Sequence, residues 1–286
     1  MPTQSSPPSI TVRGLTAGLA LVAGLAVSSC TAPPTGAEPD SEPAAGRSSV
    51  AGDDGAHDDT PHWSYDGAGG PDAWADLSSD FAACSTGLAQ SPIDLPATMP
   101  DLRDVVHLDV GVAEAEEADS GHAAQVDIDD GSTVAYLGHD YDLKQIHAHT
   151  PAEHAVGGVV PAAEIHLVHA DDDGDLLVLG VLVDEGAHDD AWQPFVDTAA
   201  GAEGVVADLD LPAMLPASLA HWSYDGSLTT PPCTEGVRWL VLATPLELSA
   251  EQIGALGAAH AHNSRGVQPL GDRTVVGGDA TITRTD

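Results

Sequence analysis

Between Gln145 and His169 the chain reads QIHAHTPAEHAVGGVVPAAEIHLVH, and two short runs within it place histidine at alternate positions. Gln145-Ile-His-Ala-His and Glu164-Ile-His-Leu-Val-His alternate polar and apolar residues with a period of two, the pattern of two strands, here joined by a Gly/Pro-bearing connection. Successive strand residues face opposite sides, so Gln145, His147 and His149 share one face, and Glu164, His166 and Val168 share a face of the second strand. Three imidazoles can then converge. Three neutral nitrogens that leave the fourth corner of a tetrahedral zinc (Zn2+) open are the form of a catalytic site, not a closed structural one. A metal-bound imidazole needs an acceptor on its other ring nitrogen, and Gln145 and Glu164 each stand two residues before a candidate ligand on the same face. An isolated His-x-His carries little weight; with a third strand histidine and two such acceptors it marks a metal site.

The elements that must position these residues are mostly strands. Short alternating runs at 105–110, 124–128 and 133–137 are separated by turn residues such as Asp129-Asp130-Gly131. The acidic run Asp171-Asp172-Asp173-Gly174-Asp175 lacks the spacing and terminal Glu of a calcium loop and reads as a solvated hairpin turn. After it, the apolar run 176–183 reads as a central strand buried on both faces. Helices are expected at 191–200 and from Ser249, where Ser249 and Gln252 have capping-box spacing. His260 and His262 near the end of that helix face different ways and make no second metal pair. Strands at 237–243 and 274–276 complete a mostly β domain. The letters HWSYDG occur at His62 and again at His221, with nothing repeated around them, and are read as coincidence.

Composition narrows the function. With 45 Asp and Glu against 8 Lys and Arg, the formal net charge of −37 repels phosphate backbones and anionic lipid heads, which excludes nucleic acid and electrostatic membrane docking as partners. Such a surface fits either a secreted protein in salty surroundings, where self-repulsion is screened within about 3 Å at 1 M salt, or a plain solubility device. Only 2 Phe and 4 Tyr leave the core to aliphatic residues.

The N-terminus reads as an address. Arg13 precedes an apolar run at 15–27, too short for a span of about 20 residues but suited to a signal peptide. The run ends in Val27-Ser28-Ser29-Cys30, similar to the bacterial lipobox in which the cysteine is lipidated after cleavage. Residues 1–29 are thus expected to be a lipoprotein-type signal peptide, 30–60 a flexible tether rich in Pro, Gly, Ser and Asp, and 61–286 the catalytic domain. His57 in the tether is read as solvated. The chain is expected to be exported, lipid-anchored at the outer face of the cell membrane or periplasmic, with Cys30 the only membrane attachment. If Cys30 is lipidated, Cys84 and Cys233 are an even pair in an oxidising compartment, free to form a disulfide.

Taken together, the chain resembles the α-class carbonic anhydrases, in the manner of exported bacterial members, over roughly residues 62–276. The resemblance rests on HWSY at His62, QSPID at Gln90, GHAAQV at Gly121, QIHAHTPAEH at Gln145, AEIHLVH at Ala163, VLG at Val178, SLTTPPCTEGVRW at Ser227 and NSRGVQPL at Asn263, in matching order and spacing. It implies a single mainly β (α+β) domain around a large, mostly antiparallel, twisted central sheet with a few short peripheral helices. The implied activity is zinc-dependent, reversible hydration of carbon dioxide to bicarbonate and a proton. His147, His149 and His166 are the implied zinc ligands, backed by Gln145, the backbone carbonyl of Asn263, and Glu164 in turn. Thr229 is implied to accept a hydrogen bond from zinc-bound hydroxide and donate to Glu153, which makes Glu153 an orienter and not a base. Val168, Val178, Leu228, Val237 and Trp239 match the apolar wall for carbon dioxide, Thr230 lines the opposite rim, His122 stands at the proton-shuttle position, and Cys84 with Cys233 matches the disulfide of exported members. One departure stands out. Bulky aromatics commonly interleave the ligands in this family, as in HFHW, whereas Ile146, Ala148 and Thr150 occupy those places here. His154 and His169 are read as structural. A zinc esterase on the same scaffold and a non-catalytic zinc-binding lipoprotein are the alternatives.

Overall fold

The computed structural model describes residues 61–118, 120–129, 131–201 and 205–285. The signal peptide, Cys30 and its lipid, His57 and the tether lie outside the described residues. Thirteen strands are assigned there: β1 (Asp94–Leu95), β2 (Leu102–Val110), β3 (Val112–Glu117), β4 (Ala124–Ile128), β5 (Ser132–Tyr136), β6 (His139–His149), β7 (Ala155–Val156), β8 (Ala163–Ala170), β9 (Leu176–Glu185), β10 (Val206–Asp210), β11 (His221–Ser227), β12 (Glu235–Leu248) and β13 (Val276–Arg284). Five short helices accompany them: α1 (Trp74–Leu77), α2 (Ala83–Thr86), α3 (Gln193–Ala199), α4 (Leu211–Met214) and α5 (Ala250–Ala259).

Eleven of these strands form one sheet in the order β10-β3-β4-β6-β5-β2-β13-β11-β12-β9-β8, and β8 also pairs with β6. Within it β12 with β9 and β13 with β2 are parallel, and the other pairings are antiparallel. The long strand β6 is the hub. Its first half pairs with β5, its second half with β4, and its opposite edge with β8. This clamps the His-x-His segment on both edges.

Alternation then sorts the two faces. Ile146 and Ala148 of β6, with Ile165 and Leu167 of β8, are buried in the larger apolar core. The intervening Gln145, His147, His149, Glu164 and His166 face the other way, toward a second core built around Val178, Trp222, Tyr224, Val237 and Trp239. Strand β9 carries the apolar run as expected, with Leu177, Val178, Leu179, Val181, Leu182 and Val183 all buried. The acidic run between β8 and β9 is a hairpin turn. Asp171 Oδ1 accepts from the N–H groups of Asp173 and Asp175, and Gly174 supplies a φ of 86°.

Helix α5 has the full capping box: the Ser249 hydroxyl accepts from the Gln252 N–H at 3.2 Å, and Gln252 Oε1 accepts from the Ser249 N–H at 3.1 Å. The strand expected at 274–276 is corrected: β13 begins at Val276 and runs to Arg284, pairing in parallel with β2. Its GGDATITR segment, opening on two glycines, is weakly apolar, and the remote pairing with β2 imposes its extended form.

Candidate metal centre and active site

The antiparallel register of β6 and β8 sets His147 directly opposite His166 and His149 opposite Glu164. Each ring is then tied by one nitrogen. Gln145 Oε1 lies 2.7 Å from His147 Nδ1, the Asn263 carbonyl 2.6 Å from His149 Nδ1, and Glu164 Oε1 3.0 Å from His166 Nε2. All three partners accept, so each tied nitrogen carries the proton and the other lone pair is left free. The lone pairs so left are on Nε2 of His147, Nε2 of His149 and Nδ1 of His166; the first and last stand 3.2 Å apart with no proton between them, and a ligand atom from each of the three residues lies within 4.8 Å of the others. His149 Nε2 is buried with no hydrogen-bond partner. A buried nitrogen in that state is costly unless something fills it, and three lone pairs facing a common point fit a divalent cation. Burial pushes all three imidazoles below their ordinary range, His147 furthest and aided by the two neighbouring rings. Neutral rings are the form that binds metal.

Behind His166 lies a second, closed group. Glu164 Oε1 also meets His154 Nδ1 at 2.7 Å, and its Oε2 accepts from the Glu153 and His154 N–H groups at 3.0 and 2.8 Å. His154 Nε2 lies 2.7 Å from the Tyr224 hydroxyl, which is 2.9 Å from Ser91 Oγ. Burial works to raise the Glu164 carboxyl, but its electrostatic interactions with His154 and His166 and the hydrogen bonds from both override it and hold Glu164 well below the usual carboxylate range.

Glu153 is fully buried, and its Oε1 accepts from the Arg265 N–H at 2.8 Å. Its Oε2 has no partner in hydrogen-bond geometry and stands 3.6 Å from His149 Nε2. Burial pushes this carboxyl up to about 7, against the pull of His166, the Arg265 N–H and the Thr229 side chain. Thr229, also buried, lies on the turn after β11, where Leu228 N–H donates to Thr234 O and Cys233 N–H to Thr230 O. Cys84 and Cys233 are joined as a disulfide, tying this turn to α2.

A cavity of about 130 Å³ opens onto His147 and His149, and its wall includes Thr230, Gln125, Trp63 and His122. His122 stacks on Trp63 with ring centroids 3.6 Å apart. Val178, Val237 and Trp239 are buried in one cluster against which Val168 and Leu228 pack, and the Trp239 ring stands 4.8 Å from that of His166. The structure thus gathers the expected ligands and their acceptors. It also sets Glu153 close behind His149, His122 and Thr230 on the cavity, and the expected wall residues in one cluster.

Eukaryotic-type carbonic anhydrases supply the family model that matches residues 69–277. The chain belongs to the eukaryotic-type, or α, carbonic anhydrase family. Curated relatives named carbonic anhydrase include one from Pectobacterium atrosepticum, 37% identical over 76% of this chain and 91% of its own length, and one from Nostoc, 38% identical over 76% and 86%. Among solved structures, the α-carbonic anhydrase of Thermovibrio ammonificans in complex with the inhibitor sulfanilamide aligns with a TM-score of 0.69 at 36% identity, covering 76% of this chain and 99% of that one. A hyperthermostable carbonic anhydrase from a hydrothermal vent chimney aligns at 0.70 and 34%, covering 76% and 100%.

This carbonic anhydrase also shows what replaces the missing aromatics. Ala148 and Ile146 are buried in the larger core, and α5 closes on Thr150 so tightly that a Cβ on Gly257 would stand 2.8 Å from Thr150 Oγ1. The Asn263 side chain adds to the bracing. It accepts from the Thr150 N–H at 2.9 Å and donates to Ala148 O at 2.9 Å and His122 O at 3.2 Å. Sequence reasoning named Asn263 only for its carbonyl and missed Arg265, Tyr224 and Ser91 as members of the site's framework. The matching segments QSPID and NSRGVQPL contained Ser91 and Arg265 but gave no hint of their partners.

Proposed function

We propose that this carbonic anhydrase hydrates carbon dioxide at a zinc ion held by His147 Nε2, His149 Nε2 and His166 Nδ1. When bound there, zinc supplies a Lewis acid that makes water nucleophilic near neutral pH, carbonic anhydrases being themselves the standard example. Gln145, the Asn263 carbonyl and Glu164 fix the three tautomers. Glu153, held at Oε1 by the Arg265 N–H, keeps Oε2 to accept a hydrogen bond from the Thr229 hydroxyl once the site is loaded. That leaves the Thr229 oxygen an acceptor only, so it aligns the attacking oxygen with its lone pair toward the substrate carbon. The wall of Val168, Val178, Leu228, Val237 and Trp239 takes up carbon dioxide without competing polar groups, and Thr230 borders the opposite side. One water and one carbon dioxide give bicarbonate and a proton, which His122 carries from the cavity to buffer.

The observation that carries this reading is the buried, unpartnered Nε2 of His149, turned toward two other imidazoles whose far nitrogens are already tied. Stopped-flow hydration on wild type, His166→Ala and Thr229→Ala, in dilute and in molar salt, tests it. Loss of zinc and rate in His166→Ala is expected, and loss of rate with zinc retained in Thr229→Ala. Equal rates in all three proteins would overturn it. A wild-type rate that rises with salt would favour the salty habitat.

The export signal at 1–29, the lipid on Cys30 and the tether at 30–60 are part of the same proposal. They are supported by the lipobox-like Val27-Ser28-Ser29-Cys30 and by a disulfide suited to an oxidising compartment. In cells fed labelled palmitate, wild type is expected to carry label and Cys30→Ser to carry none; label in neither would contradict the anchor.

A further inference from the structure

Arg265 is a cation buried to 3% exposure, and among the described residues its guanidinium has no ion-pair partner. Three neutral oxygens hold it instead: Cys84 O, Gln90 Oε1 and Ser91 O, each at 2.8 Å, with the head group 5.7 Å over the Trp74 ring. Burying a charge on carbonyl and amide oxygens alone is a costly way to fill a core, where an apolar side chain of similar volume is often as good or better. The arrangement has a use at each end of the residue. The backbone N–H of Arg265 is the 2.8 Å donor to Glu153 Oε1. At the other end, Gln90 receives the guanidinium on Oε1 and donates from Nε2 to the Cys233 carbonyl at 3.0 Å, while the Cys233 N–H holds Thr230 O at 2.8 Å. A continuous chain of buried contacts therefore runs from Glu153 through Arg265, Gln90 and Cys233 to the residue beside Thr229.

We propose that Arg265 is a positioning residue that, through Gln90 and Cys233, fixes Glu153 in register with the Thr229 turn. The inference rests on the Thr229–Glu153 reading above and acts only through that pair.

A double-mutant cycle separates it from a merely structural role. Arg265→Lys keeps the charge and loses the fork; Arg265→Gln avoids burying an unpaired ammonium and serves if the lysine variant fails to fold. Either is expected to lower kcat about tenfold with KM and zinc content kept. In a Thr229→Ala background the same change is expected to lower kcat less than about twofold, because the contact it serves is already gone. Equal losses in both backgrounds, or no loss in wild type, would overturn the inference. Thr229→Ala at the wild-type rate would instead overturn the reading beneath it. In the metal-free protein, hydrogen exchange of the amide at position 265 is expected to quicken about tenfold in the variant while the Ile165 and Val181 amides stay unchanged. Uniform quickening across β8 and β9 would mark a general loss of stability and count against it.

Discussion

Two clusters share His166, one of three histidines and one of two histidines around a glutamate, and they differ in hydrogen-bonding capacity. In His154, Glu164 and His166 every polar side-chain atom between the residues is paired: both oxygens of Glu164 and both nitrogens of His154 have partners between 2.7 and 3.0 Å. In His147, His149 and His166 each ring is tied once to an acceptor and keeps one lone pair: His147 Nε2 and His166 Nδ1 face each other at 3.2 Å, and His149 Nε2 is buried without a partner. Either triplet satisfies a distance test for a metal. Only the second has capacity left over. Histidines in a strand become a site through unmet hydrogen-bonding capacity, and the closed cluster exists to hold the open one.

Breaking the shared member is expected to have the largest effect. His166→Ala removes a ligand and an anchor together, and hydration should fall roughly a thousandfold or more with loss of bound zinc, read by stopped flow and metal analysis. Glu164→Gln removes no ligand but weakens the closed cluster and its hold on His166. Zinc affinity is expected to fall about 10–100-fold, the usual cost of losing a residue that orients a metal-bound imidazole, as measured by chelator competition.

A third kind of strand histidine sharpens the contrast. His169 belongs to neither cluster; its Nδ1 bonds the Leu167 carbonyl, and burial pushes its pKa down to about 4 from an ordinary 6.5. Between those values the unfolded chain binds a proton that the folded one refuses. Stability is therefore full above about pH 6.5 and declines as pH falls to about 4, by about 3 kcal/mol in all. Urea unfolding of the metal-free protein across that window should show the slope, and His169→Gln should make it shallower, leaving the share of His147, His149, His166 and His221, which burial also lowers. The smallest effect belongs to the far end of the closed cluster. Tyr224→Phe leaves His154 Nε2 and Ser91 Oγ short of one partner each and is expected to cost about 1–3 kcal/mol in thermal unfolding, with zinc affinity kept.

Much of the open cluster was legible in the sequence because a strand has a period of two: alternation alone places Gln145, His147 and His149 on one face and Ile146 and Ala148 on the other. The apolar run in β9 and the capping box of α5 were readable for equally local reasons. Of the closed cluster, alternation gives only Glu164 beside His166; Ser91, His154 and Tyr224 join it through tertiary contacts that no local pattern encodes. The six letters HWSYDG make the same point. At His62–Gly67 they enter a loop in which Trp63 stacks on His122, and at His221–Gly226 they form strand β11 between β12 and β13. Identical residues take the conformation that their remote partners impose. Strands β3, β10 and most of β13, short or weakly apolar, escaped for that reason, whereas the match to known motifs supplied Thr229, Glu153 and His122, which no periodicity singles out.

Which nitrogens keep an open lone pair decides where zinc binds. X-ray absorption at the zinc edge of the loaded protein counts imidazole ligands by their multiple scattering. Three imidazoles at about 2.0–2.1 Å with one further light atom are expected from the open cluster. Two imidazoles and a carboxylate would place zinc on His154, Glu164 and His166 and contradict it.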